Sequence, residues 1–419
     1  MAITYRPYAV PSMVVKLQER LNALYDVGVD TFLRSITETP WPEPALKISV
    51  TNRCNLSCAY CYDKAFQPPF QKRADMEPSL VAQIFERYSN PSYVFVLGGE
   101  PFLNIPAVEA ILDHCPSRVA ISTNGQVLNS QVDHILDKIV QRNELGQATL
   151  LQISCELGGL TVERNTQNTL YAENVVTHFA NICGRYVRVK YTMTQPDVAH
   201  IEEIAQWYWN RELLVQFDYV DGGFGAGFPV DLPDEDHKIV FEFIFESLRA
   251  SFAEWCQNES DPWLVLHAKT LVNSIFPIVL MQIKQQQPIW TTCGVLGNGI
   301  YVGPKGDLYP CHRFKQSKQN RYGILGEETA GQVAQFHREV GPVIRDYCRN
   351  CIWRGTCGGM CPAVVYHYGG EMLEGRCKFT GALKDAVWSF LADEQIFSHP
   401  RIDEYLSEVA RLSPFYDII

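Results

Sequence analysis

The sequence lacks the features that define several large classes of protein. No apolar stretch approaches the ~18 uninterrupted residues that a membrane-spanning helix needs. The opening residues, MAITYRPYAVPSMVVKLQERL, lack the charged-then-apolar layout of a secretory signal peptide. Long-period repeats and low-complexity tracts are also missing. We therefore expect a cytoplasmic protein without a membrane partner.

Positive charge is scarce, with 36 lysines and arginines against 47 aspartates and glutamates and a formal net charge of -11. Proteins that bind nucleic acids depend on an excess of positive charge to replace counterions. We therefore expect no nucleic-acid partner. The 419 residues, 46% hydrophobic and 20% charged, are typical of a globular protein large enough for more than one domain.

Cysteine is abundant, with 14 residues in a chain that carries no secretion signal. Disulfides are not expected, because the cytosol keeps thiols reduced. Three cysteines lie within residues 54–61 and seven between 293 and 377, which indicates metal ligands. Four isolated cysteines are expected to behave as small buried hydrophobic residues: Cys115, Cys155, Cys183 and Cys256.

Strand-like and helix-like segments alternate about six times between residues 45 and 220. This alternation predicts a parallel sheet with helices packed outside it, either open and doubly wound or closed into a complete or partial barrel. In each case ligands bind at the carboxyl ends of the strands. The predicted units are a helical segment at 1–44, the α/β unit at 45–235, bridging helices at 236–290, a cysteine-rich unit at 291–382 and helices at 383–419.

The first cysteine group lies in NRCNLSCAYCYD, residues 52–63, directly after the first predicted strand. Its three thiols could hold zinc with a water or histidine as fourth ligand, hold an iron-sulfur cluster, or bind nothing. Structural zinc sites favour paired two-residue spacings. A cubane held by three thiolates keeps one iron coordinatively free, as metal catalysis requires. The spacing therefore favours an iron-sulfur cluster on Cys54, Cys58 and Cys61.

This CxxxCxxC motif, with Tyr60 before the third cysteine, resembles that of the radical S-adenosylmethionine enzymes. The resemblance implies a partial (β/α)6 barrel of the TIM type. It also implies that S-adenosylmethionine chelates the free iron, and that one electron cleaves it to methionine and a 5′-deoxyadenosyl radical.

Three further segments match the same family in order along the chain: LGGEP at 97–101, STNG at 122–125 and ISCEL at 153–157. Each segment follows a predicted strand and would be an ordinary turn on its own. Together they imply contacts with S-adenosylmethionine, and the candidate residues are Tyr60, Gly98, Gly99, Glu100, Asn124, Ser154 and Arg164.

The second cysteine group follows the pattern C-x12-G-x4-C, then C-x2-C-x5-C-x3-C, then a final cysteine. Seven cysteines divide poorly into zinc sites of four ligands each. The pattern resembles the SPASM extension of radical S-adenosylmethionine enzymes, which implies two auxiliary [4Fe-4S] clusters and three clusters in all. The implied distal ligands are Cys348, Cys351, Cys357 and Cys377, and the implied nearer ligands are Cys293, Cys311 and Cys361.

The nearer cluster is one cysteine short, because Gly299 stands where fully ligated members carry a cysteine. An open iron is expected there, unless Cys256 or another side chain supplies the ligand. An open position could bind a heteroatom of the substrate, or a water or thiol could fill it.

The reaction implied by the resemblance is the modification of a peptide. His312 follows Cys311, where the sulfatase-maturing branch has an aspartate, and it is either a base or a structural residue. YPCHRF resembles maturases of ribosomally made peptides, which form C–C, C–O or C–S crosslinks, epimerise residues or excise backbone. The alternatives are a sulfatase-type maturase, a maturase of a peptide-derived cofactor, an enzyme acting on a small molecule, and a zinc-bound peptide-binding protein without catalysis.

The expected partners follow from the same resemblance: a precursor peptide and an electron donor of the flavodoxin or ferredoxin type. About 44 residues precede the predicted barrel, too few for the winged-helix module that captures a leader peptide in many maturases. We expect a separate leader-binding protein, or an interaction of the leader with this short N-terminal segment.

Overall fold

The computed structural model describes residues 12–38, 43–56, 58, 60–61, 74–154, 169–220, 231–258, 286–290, 295, 297–315, 317–327, 330–357, 359 and 361–405. None of the helices in these ranges is long and apolar enough to cross a membrane. The glycine-rich segment at 221–236 predicts a loop or boundary; residues 221–230 of it lie outside the described residues, and a helix begins at Asp234. The apolar segment at 276–283, short enough for a buried helix, and the part of ISCEL that follows Ser154 also lie outside the described residues.

One nine-stranded sheet organises the described part of the chain. Its strands are β1 (Ala45–Ser49), β2 (Tyr93–Leu97), β3 (Val119–Thr123), β4 (Thr149–Ser154), β5 (Val187–Met193), β6 (Leu214–Tyr219), β7 (Gly299–Val302), β8 (Asp307–Tyr309) and β9 (Gly323–Ile324). The spatial order is β6-β5-β4-β3-β2-β1-β7-β8-β9. Strands β1 to β6 are parallel and follow chain order, so the predicted partial (β/α)6 barrel is confirmed.

The helices alternate with the strands as the apolar spacing predicts. They are α1 (Ser12–Glu38), α2 (Pro78–Arg87), α3 (Ile105–His114), α4 (Ser130–Glu144), α5 (Thr169–Cys183), α6 (Gln195–Val198), α7 (Ile201–Trp209), α8 (Asp234–Asn258), α9 (Ala330–Cys348), α10 (Arg354–Cys357), α11 (Pro362–Tyr368), α12 (Glu374–Ala392) and α13 (Glu394–Phe397). The sequence predicts a first helix at about 12–34, and α1 extends beyond it to Glu38. The sequence also predicts a strand at VRVKYTM, and β5 has those bounds.

The cysteine-rich region continues the barrel sheet. Strand β7 pairs in parallel with β1, on the edge opposite β2, and β8 and β9 add antiparallel strands. Helix α12 packs against the other edge, where Phe379 stacks on Tyr219 of β6 with ring centroids 5.5 Å apart. Helix α12 runs through the predicted boundary at 382/383. One apolar core therefore spans both parts of the chain.

Helix α1 docks on the segment that carries the second cysteine group. Asn22 donates to the carbonyl of Ile352 (2.7 Å) and accepts from the backbone N–H of Gly355 (2.9 Å). A Cβ at position 355 would lie 2.6 Å from the carbonyl oxygen of Leu21, so only glycine permits this approach. Arg354 also forms a two-pronged ion pair with Asp26 of α1.

Replacing Asn22 with alanine should remove both hydrogen bonds and leave buried backbone groups without a partner. We expect the free energy of unfolding to fall by about 1–3 kcal/mol. Anaerobic urea unfolding measures this loss, and the iron content of the variant shows whether the nearby cysteines still hold metal. Ser35→Ala is the control, because Ser35 lies on the exposed face of α1 and its hydroxyl donates to the nearby carbonyl of Phe32. Equal stability of the two variants would contradict the docking role.

Buried His337 on α9 should make the fold sensitive to acid. Burial lowers the pKa of its imidazole to about 4, from an ordinary value near 6.5. The folded state therefore keeps this ring neutral while the unfolded chain takes up a proton. The resulting stability is complete above pH ~6.5 and is lost as the pH falls towards 4, by about 3 kcal/mol in all. Urea unfolding at pH 7 and pH 5 should show a smaller difference in His337→Leu; an unchanged difference would refute the assignment.

Candidate active site

The loop after β1 is fixed by a second segment of the chain. Thr51 donates to Asp75 Oδ1 (2.5 Å), and Arg53 Nε donates to the same oxygen (2.9 Å). The Arg53 guanidinium also pairs with Asp75 Oδ2 at 2.8 Å. The backbone N–H of Asn52 donates to the carbonyl of Ala74 (2.9 Å). These bonds fix the backbone immediately before Cys54, the first cysteine of the motif.

The two glycines of LGGEP let the end of β2 lie directly against this loop. The N–H of Gly99 donates to the carbonyl of Thr51 (3.0 Å), and the next N–H donates to the carbonyl of Arg53 (2.8 Å). A Cβ at Gly98 would lie 2.6 Å from the carbonyl oxygen of Thr51, and one at Gly99 would lie 2.6 Å from the carbonyl carbon of Arg53. The glycines therefore position the cysteine loop by close backbone approach.

Glu100 joins the ends of two neighbouring strands from a fully buried position. Its Oε1 accepts from the Thr123 hydroxyl (2.7 Å) and the Phe102 N–H (3.0 Å), and its Oε2 accepts from the Asn124 N–H (2.7 Å). A contact of Glu100 with the amino group of S-adenosylmethionine stays a prediction. In this structure the Glu100 carboxylate connects the LGGEP and STNG segments through hydrogen bonds.

Asn124 extends this connection to the cysteine loop. Its side-chain amide donates to Asn55 Oδ1 (2.8 Å), and the amide nitrogen lies 3.9 Å from Cys54 Sγ. Gly125 follows with a φ of +72°, and a Cβ there would lie 2.6 Å from Val175 Cγ1. The asparagine is therefore held beside the first thiol by a turn that requires glycine.

The three thiols of the motif lie close enough to influence one another. Desolvation raises the pKa of the Cys54 thiol to about 11; the Leu56 N–H opposes this, and Glu100, Cys58 and Cys61 add to it. The Leu56 N–H lies 3.4 Å from Cys54 Sγ, and the Cys61 N–H donates to the carbonyl of Cys58 (3.2 Å). Ionising these thiols therefore needs a cation to offset their mutual repulsion.

The donor set of this loop consists of three thiols, with the Leu56 N–H directed at Cys54 Sγ. Within the described ranges, no three His, Cys, Asp or Glu side chains approach closely enough to hold one metal ion. Thiolates are ligands of both zinc and iron-sulfur clusters. The assignment of Cys54, Cys58 and Cys61 to a cluster therefore stays a prediction. Tyr60, the aromatic residue of the motif, is half-buried and packs against the apolar core.

The fourth strand end is only partly described. Ser154 is the last residue of β4 and is in register with Lys190 of β5. Lys190 forms an ion pair with Asp218 of β6 (3.0 Å), which also pairs with Arg376 of α12 (2.9 Å). Arg164, the other residue predicted at this end, lies outside the described residues. The described part of this strand end is thus charged and linked to the helix that carries Cys377.

The four cysteines assigned to the distal cluster come together from α9, α10, α12 and the connection between α9 and α10. Burial, followed by the neighbouring Cys357 and Cys351, raises the pKa of the Cys377 thiol to about 12. The Cys351 N–H donates to the carbonyl of Cys348 (2.9 Å), and both Cys348 and Cys377 influence the Tyr347 hydroxyl. The assignment of these four cysteines to a distal cluster stays a prediction.

The nearer set is assembled around one arginine. The Arg313 N–H donates to Cys311 Sγ (3.3 Å), and its guanidinium donates to Cys361 Sγ (3.5 Å). Cys293 lies outside the described residues. Gly299 is the buried first residue of β7, paired with Ala45. The expectation of an open iron stays a prediction.

Cys256, one of the suggested replacement ligands, lies beside the C-terminal segment. Its Sγ is 3.8 Å from His399 Nδ1, and the guanidinium of Arg401 donates to its backbone carbonyl (3.3 Å). The described contacts of Cys256 therefore connect α8 to residues 399–401.

His312, the candidate base, is half-buried with its Nδ1 3.6 Å from Cys311 Sγ. Burial, reinforced by positive charges that include Lys47 of β1 and Lys190 of β5, holds the pKa of its imidazole well below the ordinary value. The His312 ring centroid lies 6.4 Å from that of Tyr301 on β7. A neutral imidazole can accept a proton, so the base assignment stays a candidate.

Sequence reasoning missed two residues of these sites. Asp75 fixes the first loop, but it lies 22 residues from Arg53 without any motif around it. Lys384 is buried beside the distal cysteines on α12. Its seven-residue spacing from Cys377, two helical turns, was the available signal.

The fold and the cysteine loop can be compared with known protein families. Residues 48–205 match the family model of the Radical SAM superfamily. It is 24% identical over 345 residues to the antilisterial bacteriocin subtilosin biosynthesis protein AlbA of Bacillus subtilis, covering 77% of this chain and 68% of that protein. It is 32% identical over 99 residues to a probable GTP 3′,8-cyclase of Methanocella arvoryzae, covering 23% of this chain and 32%, about a third, of that protein.

Two solved structures share the architecture. The structure of anSMEcpe with bound AdoMet aligns with a TM-score of 0.58 and 15% identity, covering 87% of this chain and 99% of that chain. The structure of Streptococcus suis SuiB bound to S-adenosylmethionine aligns with a TM-score of 0.53 and 14% identity, covering 81% of this chain and 77% of that chain. At these identities the likeness establishes the common fold.

Proposed function

We propose that this chain is a radical S-adenosylmethionine maturase that modifies a ribosomally made precursor peptide. The observation that carries the proposal is the convergence of LGGEP and STNG on the loop of Cys54, Cys58 and Cys61. Two glycines bring β2 against the loop, and Glu100 and Asn124 connect the next strand to it. A cluster held by these three thiols would keep one coordination position open, as metal catalysis requires.

The chain's own residues would hold the cluster and would orient and shield S-adenosylmethionine. Cys54, Cys58 and Cys61 would hold a [4Fe-4S] cluster, which together with S-adenosylmethionine supplies the hydrogen-abstracting radical. The Gly98–Gly99 backbone and Glu100 would fix the amino end of the cofactor, while Ser154 and Arg164 would contact its other end. Seven further cysteines would hold two auxiliary [4Fe-4S] clusters, four on the distal one and Cys293, Cys311 and Cys361 on the nearer one.

A peptide substrate is supported by the names of the relatives. AlbA takes part in the biosynthesis of the bacteriocin subtilosin. One structure holds anSMEcpe with AdoMet and the Cp18Cys peptide, and another holds SuiB bound to the precursor peptide SuiA. Within peptide chemistry, His312 in place of an aspartate favours crosslinking, epimerisation or excision over sulfatase maturation. Its suggested role as the base is part of the proposal.

The test is turnover with a candidate precursor. Anaerobically reconstituted protein would be incubated with S-adenosylmethionine, a reduced flavodoxin or ferredoxin, and a short peptide encoded beside the gene. Mass spectrometry in ordinary and deuterated water should reveal a crosslink as lost hydrogens, epimerisation as deuterium uptake, or excision as a lost fragment. Formation of 5′-deoxyadenosine with every such peptide left unchanged would refute the peptide assignment.

Metal analysis distinguishes the proposed enzyme from the alternative of a zinc-bound peptide-binding protein without catalysis. A brown protein containing iron and sulfide supports the enzyme, and a colourless protein loaded with zinc rejects it.

Leader recognition is a separate step, for which we propose a small partner protein. Leader-dependent capture of the precursor by the isolated chain would assign that step to this chain instead.

A further inference from the structure

Lys190 and Gln216 lie side by side on the inner face of the sheet. They are register partners on β5 and β6. Tyr191 of β5 packs edge-on against Tyr208 of α7 and against Phe217 of β6, with ring centroids 6.2 Å and 5.9 Å apart. Because successive side chains of a strand point to opposite faces, Lys190 and Gln216 point away from these outer packing partners. The two polar side chains therefore lie inside the barrel.

The ammonium group of Lys190 is held in place by one ion pair. Its Nζ lies 3.0 Å from Asp218 Oδ2, and Arg376 Nη2 holds the same carboxylate at 2.9 Å from Oδ1 and 3.2 Å from Oδ2. An ammonium group has three N–H donors, and Asp218 is its one acidic partner among the residues that the structure describes. The Lys190 side chain is also 31% exposed. Lys190 can therefore donate to a ligand without leaving Asp218.

Gln216 supplies a hydrogen-bond acceptor next to this donor. Its side chain is 4% exposed, and its Oε1 accepts no hydrogen bond within the described part of the chain. The inner residues one step deeper are joined to each other, because Arg188 donates to Gln152 (2.6 Å) and Gln152 donates to Ser122 (3.3 Å). Buried polar atoms are nearly always paired. A ligand that carries both an N–H group and a carboxylate would complete Gln216 and Lys190 together.

The position along the strands places this pair beside the predicted cofactor site. Lys190 is the register partner of Ser154, the candidate contact of S-adenosylmethionine at the end of β4. Ligands of parallel α/β barrels bind at the carboxyl ends of the strands. A residue held by Lys190 and Gln216 would therefore lie next to the bound cofactor.

We propose that Lys190 and Gln216 form a subsite for an acidic residue of the precursor peptide. This inference rests on the proposed function. Lys190 Nζ binds the carboxylate of an aspartate or glutamate side chain, and Gln216 Oε1 accepts a main-chain N–H of the same peptide segment. Asp218 and Arg376 are positioning residues that hold the ammonium group towards the interior. The subsite fixes the register in which the peptide enters the barrel.

The experiment is a subtractive selection from a displayed library of short random peptides. Reconstituted full-length protein with S-adenosylmethionine retains the binders, and Lys190→Gln protein removes those that do not depend on this lysine. Aspartate or glutamate should dominate one position of the remaining peptides. Replacing that residue with its amide should weaken binding to the unmodified protein about tenfold, and Lys190→Gln should weaken binding of the acidic peptide equally. Gln216→Leu should weaken binding of the acidic and amide peptides alike.

Three further variants separate recognition from structure. Lys190→Arg keeps the charge and should keep the preference for the acidic peptide. Asp218→Asn removes a competing carboxylate, so the acidic peptide should bind more tightly. Lys138→Gln is the matched control, because Lys138 is an ion-paired lysine of the outer helices, 21% exposed and paired with Glu109 (3.1 Å) and Asp113 (2.8 Å). This control should bind the acidic peptide normally.

Each outcome of these measurements decides the inference. Selected peptides without an acidic preference overturn it. Equal weakening in Asp218→Asn and Lys190→Gln also overturns it, because the ion pair would then only stabilise the barrel. Equilibrium dialysis with radiolabelled S-adenosylmethionine tests the other source of a carboxylate: weaker cofactor binding in Lys190→Gln, with peptide binding unchanged, assigns Lys190 to the cofactor and rejects the peptide subsite. Binding needs no turnover, so acid-selective binding by a protein that modifies no peptide would support the subsite and refute the proposed reaction.

Discussion

Replacing Cys58 with alanine should abolish the formation of 5′-deoxyadenosine. A cluster that keeps one iron free for a cofactor already has only three thiolates, and two cannot hold the cubane in place. The backbone bond from the Cys61 N–H to the Cys58 carbonyl would remain, so the loop itself should persist. We therefore expect the loss to affect iron content and cleavage of S-adenosylmethionine, with little effect on the fold. Anaerobic reconstitution, iron analysis and chromatographic detection of 5′-deoxyadenosine measure each part.

Two variants serve as controls for Cys58→Ala. Cys115 is 2% exposed at the end of α3, with its Sγ 3.6 Å from the carbonyl of Ser117, so Cys115→Ala should keep cleavage. Cys357→Ala should damage the distal cluster and leave some cleavage that is uncoupled from peptide modification. Full cleavage by Cys58→Ala would show that the first cysteine group was assigned wrongly.

The barrel was predictable because its information is local. Most residues of the parallel strands are buried, and their apolar residues stand in short runs or alternate with polar ones, while each helix shows its own spacing. The pairing of β7 with β1 was not predictable in this way, because the two strands lie about 250 residues apart and both are short. The docking of α1 was hidden for the same reason. It depends on Asn22 meeting a glycine more than 300 residues away.

The residues of the candidate site fall into the same two groups: those that a short sequence pattern predicts and those that only the folded structure reveals. The cysteines were visible because their ligand spacing is written in short stretches of sequence, although Cys293 and Arg164 lie outside the described residues. Residues that hold the ligands in place are recognised only in three dimensions. Asp75 fixes the Cys54 loop from a distant segment, and Lys384 lies among thiols from two other elements. Long-range electrostatic partners leave no local pattern.

Gly99 offers the sharpest test of how the loop is held. A methyl group at this position would lie 2.6 Å from the carbonyl carbon of Arg53 and 3.0 Å from Cys54 Cβ. Both neighbours are close to the backbone of the cysteine loop and cannot turn away as a flexible side chain can. In Gly99→Ala the loop must therefore shift relative to β2, and a displacement of about 1 Å at a reacting centre can cost about 10²-fold in rate.

We expect Gly99→Ala to lose about 10²-fold of its 5′-deoxyadenosine formation and part of its iron. Gly331→Ala is the matched control, because Gly331 lies in α9 with no atom within 4 Å of the added methyl group. Alanine is favoured over glycine in helices, so that variant should be at least as stable as the unmodified protein. If Gly99→Ala kept normal iron content and normal cleavage, the close approach of β2 would not be what positions the three thiols. The loop would then be held by its bonds to Asp75, Ala74 and Asn124, and Asp75→Asn would be the variant that displaces it.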